Sequence, residues 1–192
     1  LDSRSVALRT LSLCWLALSI SVFAASCGGS PSEAAVVTKA SVAMNDFEFW
    51  ELIGKLDWKQ TGDDGAVCRP VVEALAAKPV SAIEAFEETL AQKLHALDTE
   101  AHAREIGDEA YTGSDEKFSV DWFLYVRCCV VANGRPMFET VLKNPKRMPK
   151  DMEFEALLQV AAEAYQAKTG EDFDFTPSVS YETFSNKAGW QR

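Results

Sequence analysis

The sequence contains few of the residues and motifs that carry chemistry. It has two histidines and five cysteines in 192 residues. It has no Cys-x-x-Cys, Gly-rich phosphate loop, Gly-x-Ser-x-Gly elbow or His-Glu-x-x-His motif. These absences exclude the zinc knuckle, the thioredoxin-like redox motif and the common nucleotide-binding and hydrolase signatures. No carboxylate pair is set apart for acid–base work, so we predict no catalytic residue and no cofactor.

Positive charge is also scarce. The chain has 19 Lys and Arg against 29 Asp and Glu, which gives a formal net charge of −10. We see no basic stripe that offsets this charge, and an acidic surface repels phosphate backbones. Nucleic-acid binding is therefore disfavoured. Hydrophobic content of 47% and charged content of 25% are ordinary for a globular protein, and the length suits one domain with a real core.

No apolar run is long enough to span a bilayer, and the longest one lies near the start of the chain. Residues 11–23 are uncharged and follow Arg4 and Arg9, as in the apolar region of a signal peptide. Small residues then precede Cys27, which resembles the cleavage site of a lipoprotein. We expect residues 1–26 to be a cleaved leader, Cys27 to be lipidated, and residues 27–43 to form a flexible tether at the cell envelope. The membrane would be reached only through this lipid anchor.

Two other interpretations of this segment remain open. Ordinary cleavage after the Ala-x-Ser site would leave Cys27 unmodified. Alternatively, the product begins at Met44, immediately before the first amphipathic helix, and stays in the cytoplasm. The chain starts with Leu1 and not with Met, which favours this second interpretation.

Hydrophobic periodicity predicts an all-α fold. We expect a single compact, non-repeat helical bundle over residues 44–170 and an irregular C-terminal extension over 171–192 with aromatic anchors. Asp46 is predicted to cap the first helix, and a capping box at Ser81 and Glu84 is predicted to start the long third helix, with a break near Asp98. The other predicted helices cover residues 67–77, 120–132, 136–142 and 152–168.

The helix after Ser119 is predicted to be the buried centre of the bundle. Its residues are apolar nearly all round, Ser119 suits the N-cap, and Gly134 suits the left-handed position after its end. The three cysteines that follow the leader are Cys68, Cys128 and Cys129. We expect buried free thiols, because adjacent cysteines on a helix are poorly placed to bond to each other. A pair with Cys68 is conceivable in an exported protein.

Several motifs occur in an order that is specific to one family. The chain has Phe49-Trp-Glu-Leu-Ile53 and the pair Ala85-Phe86. It then has Ser119-Val-Asp-Trp-Phe123 and Val126-Arg-Cys-Cys-Val-Val-Ala-Asn-Gly134. From Met44 to about Gly170 the chain resembles the bacterial domain of unknown function 4240 family, in which an acidic residue is usual at 120 and a tryptophan at 129. The resemblance implies a fold and a short list of residues, and no known reaction.

Ser119, Asp121 and Arg127 form the first candidate site. An arginine in a nearly all-apolar helix needs a partner, because an unpaired buried charge is costly. In the structural interpretation, Arg127 pairs with a carboxylate elsewhere in the bundle and Ser119 only caps the helix. In the functional one, Arg127 binds an anionic group in a polar pocket. Asp121 lies near the positive end of the helix dipole and away from the face of Arg127.

His95, Asp98 and His102 are weak candidates for a metal site. Their spacing places them along one face of a continuous helix, where imidazole and carboxylate groups could hold a divalent cation. A solvated helix face gives the same pattern, and a break near Asp98 would destroy the alignment. We therefore predict no metal.

The sequence thus indicates an uncharacterised, non-enzymatic binding or interaction domain tethered to the cell envelope, with an unknown protein or small ligand as its partner. One alternative is an unrecognised enzyme or a small-ligand pocket around Asp121 and Arg127. Another is a cytoplasmic partner-binding protein, if translation begins at Met44.

Overall fold

A computed structural model describes residues 43–114 and 117–190, and within those ranges the chain forms an α-helical bundle without β-strands. The all-α fold class is therefore confirmed. The predicted leader, Cys27 and the tether up to residue 42 lie outside the described residues. The helices are α1 (Asp46–Ile53), α2 (Asp64–Ala76), α3 (Val80–Leu97), α4 (Glu100–Ala103), α5 (Val120–Ala132), α6 (Arg135–Lys143) and α7 (Val160–Thr169). None of these helices is both long and apolar enough to cross a membrane.

Helix α5 is the centre of the bundle, as its composition predicts. Phe123, Val126 and Val130 are completely buried, and the helix packs against α3, α6 and the 3₁₀ turn Glu155–Gln159. Its start is also as predicted, because the Ser119 hydroxyl accepts a hydrogen bond from the Trp122 amide at 3.1 Å. A helix that buries apolar residues on every side organises the elements around it.

The predicted starts of α1 and α2 are wrong. The cap of α1 is Asn45, whose side-chain oxygen accepts from the Glu48 amide at 3.0 Å, so Asp46 is instead the first helical residue. Helix α2 begins earlier than predicted, because Asp63 caps it by accepting from the Ala66 amide at 2.9 Å. In each case a neighbouring Asn or Asp satisfies an amide of the first turn.

The capping box predicted at Ser81 is also absent, because α3 already begins at Val80. Its N-cap is Pro79, which makes no side-chain hydrogen bond to the helix. The φ of Pro79 is −58°, a value that the ring imposes, and its ψ of 153° is extended, so Pro79 lies just outside the helix. Ser81 is therefore the second helical residue and lies exposed in the first turn, where it cannot act as the N-cap.

The last predicted helix is shorter than its apolar pattern indicates. Residues 152–154 are not helical, residues 155–159 form a 3₁₀ turn, and α7 begins only at Val160. The Phe154 amide donates to the Tyr125 carbonyl at 3.1 Å, a tertiary hydrogen bond that ties this stretch to α5. Helix α7 then ends at Gly170, whose φ of 79° is the left-handed conformation expected of a C-terminal glycine.

The C-terminal segment, residues 171–190, is irregular apart from a 3₁₀ turn at Lys187–Gly189. It nevertheless packs closely on the bundle. The Trp190 side chain is buried, and its ring contacts Phe184, Tyr111, Phe118 and Phe123 at centroid distances of 4.4–6.1 Å. These contacts make the segment part of the core, as the predicted aromatic anchors require.

Candidate functional site

Arg127 is completely buried beneath the C-terminal segment. Its Nη1 donates to the carbonyl oxygens of Leu94 at 3.0 Å and Tyr181 at 2.9 Å. Its Nη2 donates to the Thr183 hydroxyl at 3.0 Å, while the guanidinium lies 4.7 Å from the centre of the Phe123 ring. Most of the hydrogen-bonding capacity of the guanidinium is therefore used within the protein, and two of its three bonds go to the C-terminal segment.

Burial lowers the pKa of Arg127 to about 10, and the nearby carboxylate of Asp98 opposes that shift. The side chain therefore stays a cation at neutral pH. Its Nε has no hydrogen-bond partner among the described residues. No ion pair of Arg127 occurs within residues 43–114 and 117–190, so the charge of Asp98 stabilises the cation without a direct contact.

Asp98 is completely buried at the end of α3 and also holds the C-terminal segment. Its carboxylate accepts from the amides of Phe184 at 3.1 Å and Asn186 at 2.9 Å. It also accepts from the Ser185 hydroxyl at 3.3 Å and the Trp190 indole at 2.8 Å. Hydrogen bonds to a charged acceptor are stronger than neutral ones, so this carboxylate is a main attachment point of residues 184–190.

Glu88 is a third buried charge that engages the same segment. Its carboxylate accepts from the Ser178 amide at 2.8 Å, from the Ser178 hydroxyl, and from the Gln92 side chain at 2.7 Å. Beside it, Glu87 is 7% exposed, and its Oε2 has no hydrogen-bond partner among the described residues. Burial, and to a smaller extent the charge of Glu88, raise the pKa of Glu87 to about 7.

The residues of the predicted polar pocket do not come together. Ser119 caps α5, Asp121 is exposed, and Arg127 is buried. Within the described part of the chain no hydrogen bond or ion pair joins any two of them, and none of them lines the four cavities described below. Arg127 has the internal partners that the structural interpretation requires, but they are carbonyl and hydroxyl oxygens where a carboxylate was expected.

The weak metal candidates are separated by the break in the helix. Because α3 ends at Leu97, His95 and His102 lie on different helices. The His95 Nδ1 is 2.9 Å from the Ser180 carbonyl, and the His102 Nε2 is 3.2 Å from the Val141 carbonyl. Across residues 43–114 and 117–190, no three His, Cys, Asp or Glu side chains are grouped so that they could hold a metal ion.

Cys68, Cys128 and Cys129 are buried free thiols, which confirms the expectation for them. Burial raises the pKa of Cys68 to about 12 and moves the pKa of Cys128 and Cys129 upward as well. Because the thiolate is the nucleophilic form, these thiols are inert at neutral pH.

The largest cavity described is an open surface groove of about 680 Å³ between α6 and the residues that follow it. Its walls are apolar and cationic. We call it the basic groove, and it is lined by Asn133, Pro136, Met137, Thr140, Lys146, Arg147, Met148 and Lys150. Three smaller cavities, of about 250, 230 and 190 Å³, lie beside Arg104, beside Ser180 and beside Lys78.

The basic groove lies in the most basic part of an acidic chain. Residues 134–150 contain five of the 19 Lys and Arg but only one of the 29 Asp and Glu. That glutamate, Glu139, pairs with Arg135 at 2.7 Å. The next acidic residue, Asp151, accepts from the Asp108 amide at 3.0 Å. The expectation that the chain has no basic stripe is therefore wrong for this stretch, where the cluster is visible within 17 consecutive residues although the net charge of the chain conceals it.

A protein-family model described as "Protein of unknown function (DUF4240)" matches residues 44–167. The chain belongs to the DUF4240 family. This confirms the resemblance given by the motifs between Phe49 and Gly134. No curated protein and no solved structure matches the chain.

The DUF4240 match contains Asp98, Arg127 and the basic groove, but it ends before the C-terminal segment begins. The segment that binds the buried charges in this protein therefore lies beyond the matched region.

Proposed function

We propose that this DUF4240 domain is a non-enzymatic binding domain that recognises another protein through the basic groove. One observation carries the proposal: the buried charges bind groups of the protein itself, whereas the largest cavity found among the described residues is open to solvent. Asp98, Arg127 and Glu88 all bind the chain's own C-terminal segment. Among the cavities of the described residues, the basic groove has the largest volume and is lined by both apolar and cationic side chains.

The chemistry of the groove supports binding and gives no sign of catalysis. Its one hydroxyl, on Thr140, donates to the Pro136 carbonyl at 2.7 Å, and no carboxylate or imidazole of the described residues lines it. Enzyme sites are marked by titratable groups with shifted pKa values in a concave pocket. The raised pKa of Glu87 and the three thiols belong instead to the interior.

The location of the domain is a second part of the proposal. The apolar run 11–23, followed by small residues and Cys27, supports export and lipidation, with residues 27–43 as the tether. The alternative is a cytoplasmic protein that begins at Met44. Intact mass of the native protein distinguishes them. A membrane-bound chain that starts at Cys27 and carries lipid supports the tether, whereas an unmodified soluble chain that starts at Met44 overturns it.

Site-specific crosslinking tests the binding function. A photoreactive phenylalanine analogue is placed at Met137, which lines the groove, in cells that produce the full chain. The matched control carries the analogue at Glu73, which is exposed on α2. We expect a discrete crosslinked protein at position 137 and none at position 73. Equal products at the two positions, or none at position 137, would overturn the proposal.

A further inference from the structure

We propose that the basic groove binds an acidic peptide segment of the partner protein, in which carboxylates flank an apolar side chain. This inference rests on the proposed function, because it specifies what the binding surface recognises. Three observations support it. The groove presents cations and is lined by methionines, and the rest of the chain is acidic.

The cations of the groove, Lys146, Arg147 and Lys150, are exposed, and no described residue forms an ion pair with them. The backbone of Lys146 and Arg147 is nevertheless held in place, because Asn144 caps the 3₁₀ turn Pro145–Arg147 by accepting from the Lys146 amide at 3.3 Å. Two cationic side chains are therefore presented from an ordered turn, with Lys150 three residues beyond it. This arrangement favours a ligand with several carboxylates.

The apolar part of the groove explains why a peptide fits better than a small anion. Met137 and Met148 both line the groove beside the cations; Met137 is half-buried and supplies accessible apolar surface, whereas Met148 is 3% exposed and lies beneath it. Methionine side chains adapt to the shape of an apolar group and recur at surfaces that bind peptides. A small anion would contact only exposed cations, whose individual ion pairs contribute little in water.

The charge of the remaining surface selects the same kind of ligand. Outside residues 134–150 the chain has 14 basic and 28 acidic residues, so an acidic peptide is repelled elsewhere and attracted to the groove. A nucleic acid would also meet this repulsion along its length and would find only one short basic region. A second copy of the chain is acidic too, and dimer formation through the groove would contradict the inference.

The experiment measures fluorescence anisotropy of labelled peptide pools with the purified full chain. One pool has Asp or Glu on both sides of a varied apolar position. The matched pool has Asn or Gln at the same places. We expect the acidic pool to bind about tenfold or more tightly than the neutral pool, and its affinity to fall as the salt concentration rises.

Matched charge-reversal variants locate the binding. The groove variant carries Lys146→Glu, Arg147→Glu and Lys150→Glu. The control variant has the same net charge and carries Lys55→Glu, Lys59→Glu and Arg69→Glu at exposed positions outside the groove. We expect the groove variant to lose the affinity for the acidic pool by about tenfold, and the control by about twofold at most. If circular dichroism shows that the groove variant is unfolded, the corresponding glutamine variant replaces it.

Equal binding of the acidic and neutral pools, or equal losses of affinity in the groove and control variants, would overturn the inference. A single-stranded oligonucleotide that competes for the groove more strongly than the acidic pool would also overturn it, as would a dimer of the chain that the groove variant abolishes. The crosslinking experiment separates this failure from failure of the proposed function. A partner that crosslinks at Met137 through a segment without acidic residues would retain the binding function and reject the acidic peptide.

Discussion

The indole of Trp190 donates a hydrogen bond to the Asp98 carboxylate at 2.8 Å, across 92 positions of the chain. Both side chains are buried. The bond joins the C-terminal segment to the end of α3, beside the three other donors that Asp98 accepts. The segment is therefore expected to contribute to the stability of the whole domain.

Replacing Asp98 tests this contribution. Asp98→Ala leaves two amides, a hydroxyl and an indole without their acceptor, so we expect the free energy of unfolding to fall by about 3 kcal/mol or more. Asp98→Asn should lose less, because the amide oxygen still accepts. Urea denaturation of the full chain measures both. Asp121→Ala is the control, since Asp121 is exposed and should change stability by less than about 1 kcal/mol. Equal losses at the two positions would contradict the role of Asp98.

Gly189 tests how closely the C-terminal segment approaches the bundle. A Cβ added there would lie 2.7 Å from the Thr99 Cγ2 and 2.8 Å from the Asp98 carbonyl oxygen, which is backbone and cannot easily yield. We expect Gly189→Ala to displace the segment and to speed tryptic cleavage after Lys187 by about tenfold, as measured by mass spectrometry.

The control for this substitution is Gly65→Ala in α2. An added Cβ there meets its nearest neighbour, the Asp63 side chain, at 3.6 Å, an ordinary contact. Its cleavage rate after Lys187 should equal that of the unmodified chain. If Gly189→Ala were cleaved no faster than Gly65→Ala, the close packing of the segment would be wrong.

The raised pKa of Glu87 makes the stability of the domain depend on pH. Burial first, and then the charge of Glu88, raise its pKa from 4.5 to about 7, so the folded state holds a proton that the unfolded chain releases. The contribution of Glu87 to the free energy of unfolding is therefore expected to be most favourable below about pH 4.5. It is lost as the pH rises through about 7. The loss is about 3 kcal/mol at most.

Glu87→Gln removes this titration. We expect the variant to be more stable than the unmodified chain near pH 8 and to show a smaller difference between about pH 5 and about pH 8. Chemical denaturation at the two pH values measures it, with Glu51→Gln on the exposed face of α1 as the control. An unchanged pH dependence in Glu87→Gln would show that another group is responsible.

The helices could be predicted where a long apolar pattern meets a local cap. Helix α5 has both, since Ser119 caps an apolar run whose residues are all buried from Val126 to Ala132. The start of α3 could not be predicted from the Ser81 pattern, because the helix begins at Val80 behind Pro79, without a side-chain cap. The shortening of α7 follows from the hydrogen bond between Phe154 and Tyr125, which joins positions that are distant in sequence.

The surroundings of the buried charges were predictable only in part. The apolar pattern around Arg127 indicates that it needs an internal partner, but no local pattern identifies Tyr181 and Thr183. Those residues lie in a segment without periodicity, and only the folded chain brings them near α5. The basic groove was missed for a different reason, since the net charge of the whole chain conceals the local concentration of cations at 134–150.

The central claim is a division of roles, in which the buried charges hold the C-terminal segment and the basic groove binds the partner. Backbone amide chemical shifts of the full chain, titrated with the acidic peptide pool, test it most directly. We predict changes concentrated at residues 133–150, with the Arg127 Nε signal unchanged. Changes concentrated at residues 119–127 and 178–186 would contradict the claim and favour a ligand pocket around Asp121 and Arg127.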